Sequence, residues 1–358
     1  MNYGGTETLI MNWYRNIDRK KYQFDFLVHT EEQGVYDSEI QEMGGHIYRV
    51  PKFTVVNYFN YKNSLRTHFK NHKEHQVVHG HVRSTAKIYT RIAKENKSQT
   101  IIHSHSTGER NGFGKRIKIL LEKEIAINGD KLLSCSESAG RWLFKELDFE
   151  IIPNAIDTNK FLFDSNVRKR MRDGLKLEDD VVLFGHVGRF TEEKNHTYLL
   201  KVFSGYAKKN DNIRLLLIGE GKLKEKIVNE AIQNGVYKKV IFIDSSSNIE
   251  AYMMAMDIFL FPSRIEGLGI AVIEAQASGL LVIASANIPI ETKLTTNIIY
   301  CDYDVEQWIE LISEKTLSLS MNCAERQIFN NKVQRSQYSI ESGLEKIERV
   351  YRELLEEI

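Results

Sequence analysis

The sequence predicts an α/β chain of two domains, each built on an open parallel sheet. The chain has 358 residues, and at roughly 100–200 residues per domain that length is two domains with a cleft between them. Short β-rich apolar runs alternate with longer helical patterns, the signature of βα units. The alternation breaks once, at Phe163–Asp180, a charged stretch without strand pattern, before Val181 begins a second series. With 42% hydrophobic and 27% charged residues and only 4 Pro, the composition is that of a globular protein and excludes disordered and collagen-like classes.

In the first half the expected strands are Phe24–His29, His46–Arg49, Val77–His79, Thr100–His103, Lys131–Cys135 and Glu150–Ile152. Helices fill the intervals. Thr6–Asn16 carries apolar Leu9, Ile10, Trp13 and Tyr14 behind Thr6 as N-cap, and Ser84–Asn96 and Lys115–Asn128 have similar patterns. The second series of strands is Val181–His186, Leu215–Ile218, Val240–Ile243, Ile258–Phe261, Leu281–Ala284 and Ile298–Tyr300. A last amphipathic helix, Ile340–Ile358, repeats apolar residues at Leu344, Ile347, Val350, Tyr351 and Leu354. The domains are therefore 1–164 and 165–339, with 340–358 packing back toward the first. A Gly-rich turn opening a helix normally follows a strand, yet Gly4-Gly5 stands almost at the start. The first strand of the N-terminal domain is thus expected to be missing: either the fold tolerates its loss or the true start lies upstream.

Lys+Arg 49 against Asp+Glu 48 gives a formal charge of +1, which offers no nucleic-acid signature. The average conceals an asymmetry. Residues 60–131 hold 15 Lys/Arg against 6 Asp/Glu, leaving the remainder at −8, and 7 of the 11 histidines fall in that window. Two readings stand: solvated helix faces, or a basic surface for an anionic membrane or lipid-linked substrate, where each Lys/Arg gains about 1 kcal/mol. Cys135, Cys301 and Cys323 are scattered without CxxC spacing, so neither a disulfide framework nor a zinc site is indicated and a reducing cytoplasm fits. The N-terminus lacks signal-peptide character, and no stretch of ~18 apolar residues suits a membrane span.

The stretch Phe261-Pro-Ser-Arg-Ile-Glu-Gly-Leu-Gly-Ile-Ala-Val-Ile-Glu274 runs from a strand through a polar loop into a helix. Backbone N–H groups at Gly267, Leu268, Gly269 and Ile270, at a helix N-terminus, favour phosphate oxygens. Glu274, about a turn into the helix, could accept paired hydrogen bonds from a sugar or ribose diol, and Glu266 could do the same for a second sugar. The plain alternative is a strand–turn–helix with solvated glutamates. Glu266 and Glu274 match the glutamate, seven residues, glutamate signature, and the stretch resembles retaining GT-B glycosyltransferases of family 4 (glycosyl transferases group 1), of the exopolysaccharide and capsule type. That resemblance implies two Rossmann-like domains facing across a cleft. It implies that Glu274 holds the donor ribose and that Glu266 faces the transferred sugar.

A second motif, Gly185-His-Val-Gly-Arg-Phe-Thr-Glu-Glu-Lys-Asn-His196, places Arg189 and Lys194 after the first strand of the second domain. Taken alone, two cations five residues apart are ordinary surface features. An arginine fork and a compact ammonium can also offset charge on a departing diphosphate. The motif resembles the family's glycine-arginine and lysine-asparagine pair, which implies that Gly188, Arg189 and Lys194 clamp the donor pyrophosphate. Leu217-Ile-Gly-Glu-Gly221, Val240–Ile243 and Ala255–Ser263 follow in the family's order. The resemblance assigns the nucleotide base to 243–247, beginning at Ile243, with Asp244 where a glycine is frequent.

In the first domain, Gly4-Gly5-Thr-Glu-Thr is either a simple tight turn or, by resemblance, the turn beside the donor phosphates and sugar. Pro153-Asn-Ala-Ile-Asp157 resembles the inter-domain segment, with Ala155 for the usual Gly, a change that restricts the backbone. His79-Gly-His81 and His103-Ser-His105 put alternate histidines on one strand face, as metal ligands would be. No Asp, Glu or Cys completes either pair at useful spacing, so no metal is expected. The resemblance places His105 over the transferred sugar, as a hydrogen-bonding group rather than a nucleophile. His103 stays open between that site and a structural role.

These assignments imply a cytoplasmic enzyme that moves a hexosyl group from a nucleoside-diphosphate sugar, UDP-linked, to a saccharide hydroxyl with retention of configuration. Domain closure brings His105 and the Gly4-Gly5 turn over the sugar, and no cofactor is needed beyond the donor. The favoured acceptor is a polyprenyl-diphosphate-linked saccharide at the inner face of an anionic plasma membrane, in cell-surface polysaccharide synthesis. Alternatives are a GT-B-fold nucleotide-sugar epimerase and a non-catalytic nucleotide-sugar-binding protein. A Rossmann oxidoreductase is disfavoured, because no GxGxxG follows a strand with a later acidic residue.

Overall fold

The computed structural model describes residues 1–2, 4–105, 129–244, 246, 248–317 and 323–357. The expected helix Lys115–Asn128, and Ser245 and Ser247 of the base-binding segment, lie outside the described residues. The chain forms two compact units, Met1–Ile156 with Ile340–Ile358, and Asp157–Ser339.

In the first unit, β1 (Phe26–Val28) pairs in parallel with β2 (Ile47–Arg49), Phe26 opposite Ile47. A separate parallel sheet runs in the order β3 (Val77–Gly80), β4 (Gln99–Ser104), β5 (Lys131–Ser134) and β6 (Glu150–Ile151). The helix Gly5–Asn16 buries Leu9 and Trp13, which join Ile101 and Leu133 of the sheet and Ile347, Val350, Tyr351 and Leu354 of the helix Ile340–Glu356. A helix whose apolar stripe meets a sheet in this way is held by burial rather than by propensity.

Among the described residues the second unit carries six parallel strands: β7 (Val182–Val187), β8 (Ile213–Ile218), β9 (Val240–Ile243), β10 (Ile258–Phe261), β11 (Leu281–Ser285) and β12 (Ile298–Cys301). Their spatial order is β12-β11-β10-β7-β8-β9. The chain therefore winds outward from β7 in one direction, returns to its other side at β10, and winds outward again. At that reversal the loops leaving β7 and β10 diverge and open a crevice at the strands' carboxyl ends, where doubly wound sheets bind ligands. Strands buried on both faces need continuous apolar runs; β10 is Ile-Phe-Leu-Phe, buried throughout.

Three expectations change. Thr6 is not the N-cap: Gly4 occupies that position in extended conformation, with no side-chain cap, and Thr6 lies inside the helix. No strand precedes this helix among the described residues. Phe163–Asp180, where the break between the two series places the linker, holds a helix, Ser165–Gly174, whose N-cap Asp164 accepts from the Asn166 and Val167 amides. Its buried side is cationic: Arg168 and Arg172 reach Asp257 at 2.7 and 3.4 Å, and Arg172 also donates to the Glu178 and Val181 carbonyls. The unit boundary falls at Asp157 rather than at 165. The turn Thr158–Phe161 belongs with the second unit, where the Asn330 amide bridges the carbonyls of Thr158 and Ala277.

Candidate active site

The β7 loop is shaped by its neighbour. The Gly188 and Phe190 amides donate to the Ile218 and Glu220 carbonyls at 3.0 and 2.8 Å, so this loop lies directly against Leu217–Gly221. Gly219 and Gly221 have φ of +149° and +152°, and a methyl there would meet Gly188 O at 2.2 Å and Phe190 O at 2.5 Å. Only glycine allows both the backbone conformation and the approach. The glycine motif after β8 thus braces the Arg189 loop. Arg189 itself is exposed.

From the same loop, Lys194 Nζ donates to Glu266 Oε1 at 2.6 Å and stands 4.8 Å from the centre of the Phe261 ring. The loops are also joined through their backbones, the Arg264 amide donating to Glu193 O at 2.7 Å. Beyond Glu266, Gly267 and Leu268 lead to Gly269, which caps the helix Ile270–Ala277 in the left-handed region at φ +84°. The first amides of a helix have no intrahelical partner and attract anions. Burial, with Glu250 adding to it and Lys194 opposing, pushes the Glu274 carboxyl up to about 7. Arg189, Lys194, Glu266 and Glu274 are therefore carried by the two loops and helix at the reversal between β7 and β10. At the expected base segment, the Ile243 carbonyl accepts from Gly219 N at 3.0 Å, and Asp244 is ion-paired with Lys224.

The first unit holds the remaining predicted residues. Gly4 and Gly5 begin a helix directly, and a methyl on Gly5 would meet nothing within 4 Å. The adjacency of β3 and β4 interleaves the two histidine pairs. His79 Nε2 meets His103 Nδ1 at 3.2 Å, His81 Nδ1 meets His105 Nε2 at 2.8 Å, and His79 Nδ1 meets the Tyr351 hydroxyl at 2.9 Å. Burial holds His105 at about 4 and drives His81 and His103 well below the usual imidazole range, so these rings are neutral at pH 7. His103 is 2% exposed and stacks on Trp13, which favours the structural reading for it. Taken pair by pair the histidines lack a third ligand; together His79, His81 and His103 bring nitrogens within 4.8 Å of one another and could hold a metal ion. In this structure His79 and His103 hydrogen-bond to each other and His81 to His105. Ala155 is 2% exposed and its methyl faces Gly343, which leaves it room.

Three interactions escaped sequence reading. Glu250 raises the Glu274 carboxyl's affinity for a proton, His81 engages His105, and Tyr351 engages His79. The His-x-His repeats gave a signal for His81 only, since the others depend on which elements are neighbours.

A doubly wound domain whose switch point presents cations, a helix N-terminus and two carboxylates, in a chain that also carries a second parallel α/β unit, has the features of a GT-B glycosyltransferase. Comparisons with known proteins agree. A family model described as Glycosyltransferase Family 4 matches residues 3–160, and one described as Glycosyl transferases group 1 matches 167–314. The putative glycosyltransferase EpsF of Bacillus subtilis is 33% identical over 297 residues, covering 80% of this chain and 77% of the relative. The chain therefore belongs to the family 4, group 1 glycosyltransferases. The capsular polysaccharide biosynthesis glycosyltransferase CapH of Staphylococcus aureus is 28% identical over 296 residues, 80% of this chain and 79% of its own. HepE of Anabaena, solved in complex with UDP, superposes with a TM-score of 0.79 at 13% identity, covering 98% and 96% of the two chains, which establishes the shared fold.

Proposed function

We propose that this glycosyltransferase moves a hexosyl group from a UDP-linked sugar to a hydroxyl of a polyprenyl-diphosphate-linked saccharide, with retention of configuration, in cell-surface polysaccharide synthesis at the cytoplasmic face of a membrane. The observation that carries the donor reading is the Lys194–Glu266 contact at the switch point, with Glu274 close enough to feel the lysine's charge. UDP in HepE and the role of CapH in capsular polysaccharide biosynthesis support the donor and the setting. Among the described residues no helix is long and apolar enough to cross a membrane.

In this reading Arg189 and Lys194 neutralise the diphosphate, the amides of Gly267–Ile270 receive its oxygens, and ionised Glu274 accepts from the ribose diol. Glu266 and His105 hydrogen-bond the transferred sugar. The acceptor oxygen bonds to the anomeric carbon on the face from which the diphosphate oxygen departs. The acceptor's proton passes to that leaving oxygen, so no protein nucleophile is required.

A mass-spectrometric donor screen with lipid-linked acceptors tests the proposal. Release of one nucleoside diphosphate only when acceptor is present supports it. Deuterium entering the donor sugar without acceptor would identify an epimerase instead, and binding without release in every pairing would identify a non-catalytic binder.

A further inference from the structure

At the N-terminal edge of the basic window the first unit carries a built apolar tip that transfer chemistry does not use. Residues 50–73 include five Lys/Arg and no Asp or Glu. At one end of this run Val55, Val56 and Phe59 are 56%, 98% and 78% exposed. Their exposure is imposed by a folded turn: the Asn57 side chain accepts from the Thr54 amide at 2.8 Å and donates to the Lys52 carbonyl at 2.9 Å. The helix Tyr58–Asn71 that follows buries Tyr61, Leu65 and Phe69 in the core. That registration turns Phe59, Asn63, Arg66 and Lys70 outward as one stripe, because residues four, three and four apart share a helix face. All four are exposed. The stripe is apolar at the turn and cationic along its length. Arg66 reaches Glu95 at 3.6 Å, a loose contact at the edge of the surface.

We propose that this segment seats the protein on an anionic bilayer, with Val55, Val56 and Phe59 entering the acyl boundary and, on the headgroups, Arg66 and Lys70 of the stripe together with half-buried Lys62, one turn before Arg66 on the same helix. The inference rests on the membrane-linked acceptor of the proposed function and names the surface that reaches it. Apolar side chains rimmed by cations match the two layers of such an interface, apolar below and anionic above. A second copy of the chain is the poorer occupant, since two like-charged stripes repel when brought together.

Vesicle flotation of the full chain tests the seat, with no donor or acceptor present, so the result is independent of the transfer reaction. Wild type is expected to bind phosphatidylglycerol-containing vesicles at least about tenfold more than pure phosphatidylcholine, and to weaken in salt near 1 M. Val56→Asp with Phe59→Asp, and separately Lys62→Glu with Lys70→Glu, should each lower binding about tenfold while leaving the melting temperature and turnover of a soluble acceptor unchanged. Wild-type-like binding by either double variant, or no preference of wild type for anionic vesicles, overturns the proposal. So does sedimentation of a dimer that Val56→Asp with Phe59→Asp converts to monomer.

Discussion

Lys194 Nζ lies 2.6 Å from Glu266 Oε1, so the cation expected to meet the donor diphosphate is paired with the carboxylate expected to meet the donor sugar. Each partner masks the other's charge until a ligand competes. Breaking the pair from the acid side should therefore help the anion and harm the reaction. Glu266→Gln is expected to tighten nucleoside-diphosphate binding by roughly fivefold, about 1 kcal/mol for a partly exposed pair, while kcat falls at least about tenfold. Calorimetric Kd values beside initial rates separate the two effects.

Arg189 is exposed and Lys194 is not free, so the two cations should respond differently to truncation. Arg189→Ala removes a charge-assisted contact to phosphate worth about 1.5–3 kcal/mol, so the donor Kd should rise roughly 10–100-fold with the melting temperature unchanged. Lys194→Ala leaves Glu266 without its partner and should also lower stability, read in the same melting curves.

Glu274 titrates at about 7 instead of in the ordinary carboxylate range. A folded-state value raised above the unfolded one means the folded protein holds the proton longer, so this group's contribution to stability is present at low pH and is lost as pH rises toward about 7. Binding has the opposite sign. A ribose diol needs the ionised acceptor, so nucleoside-diphosphate affinity should increase as pH climbs through about 7 and then level off. Glu274→Gln should abolish that inflection; a wild-type profile in the variant would remove Glu274 from the ribose role.

Gly219→Ala would drive a methyl to 2.2 Å from Gly188 O at a backbone φ of +149°. The expected outcome is a fall in stability of about 1–3 kcal/mol, together with weaker donor binding because the Arg189 loop is displaced. The same substitution at Gly5, where a methyl meets nothing within 4 Å, should leave the melting temperature nearly unchanged.

The twelve strands among the described residues were legible as short β-rich runs, most plainly where burial on both faces requires an apolar run, as at Ile258–Phe261. The helix Ser165–Gly174 was not, because what it buries is Arg172, whose terminal nitrogens are held by Asp257 and by the Glu178 and Val181 carbonyls, and no hydrophobic period marks such a face. Arg189, Lys194, Glu266 and Glu274 could be nominated from their motifs. That the loops of β7 and β10 flank one reversal follows from strand order, which the crossovers set. The histidine pairs likewise showed their alternation along each strand, while the His81–His105 bond needed β3 beside β4.

His105 has no shared chemistry with the diphosphate clamp in the second unit. His105→Ala should therefore lower kcat by about 10²-fold or more while leaving nucleoside-diphosphate Kd within about twofold. Comparable losses in both parameters would place His105 in donor binding.

The central claim is transfer of a sugar from a nucleoside diphosphate to an acceptor hydroxyl with its configuration kept. The most direct measurement is NMR of the acceptor after reaction with a donor labelled with carbon-13 at the anomeric carbon, alongside the amount of nucleoside diphosphate formed. The account predicts one glycosidic linkage per nucleoside diphosphate, with the donor's anomeric configuration in the product. Inverted linkage, or nucleoside diphosphate accompanied only by free sugar, would contradict it.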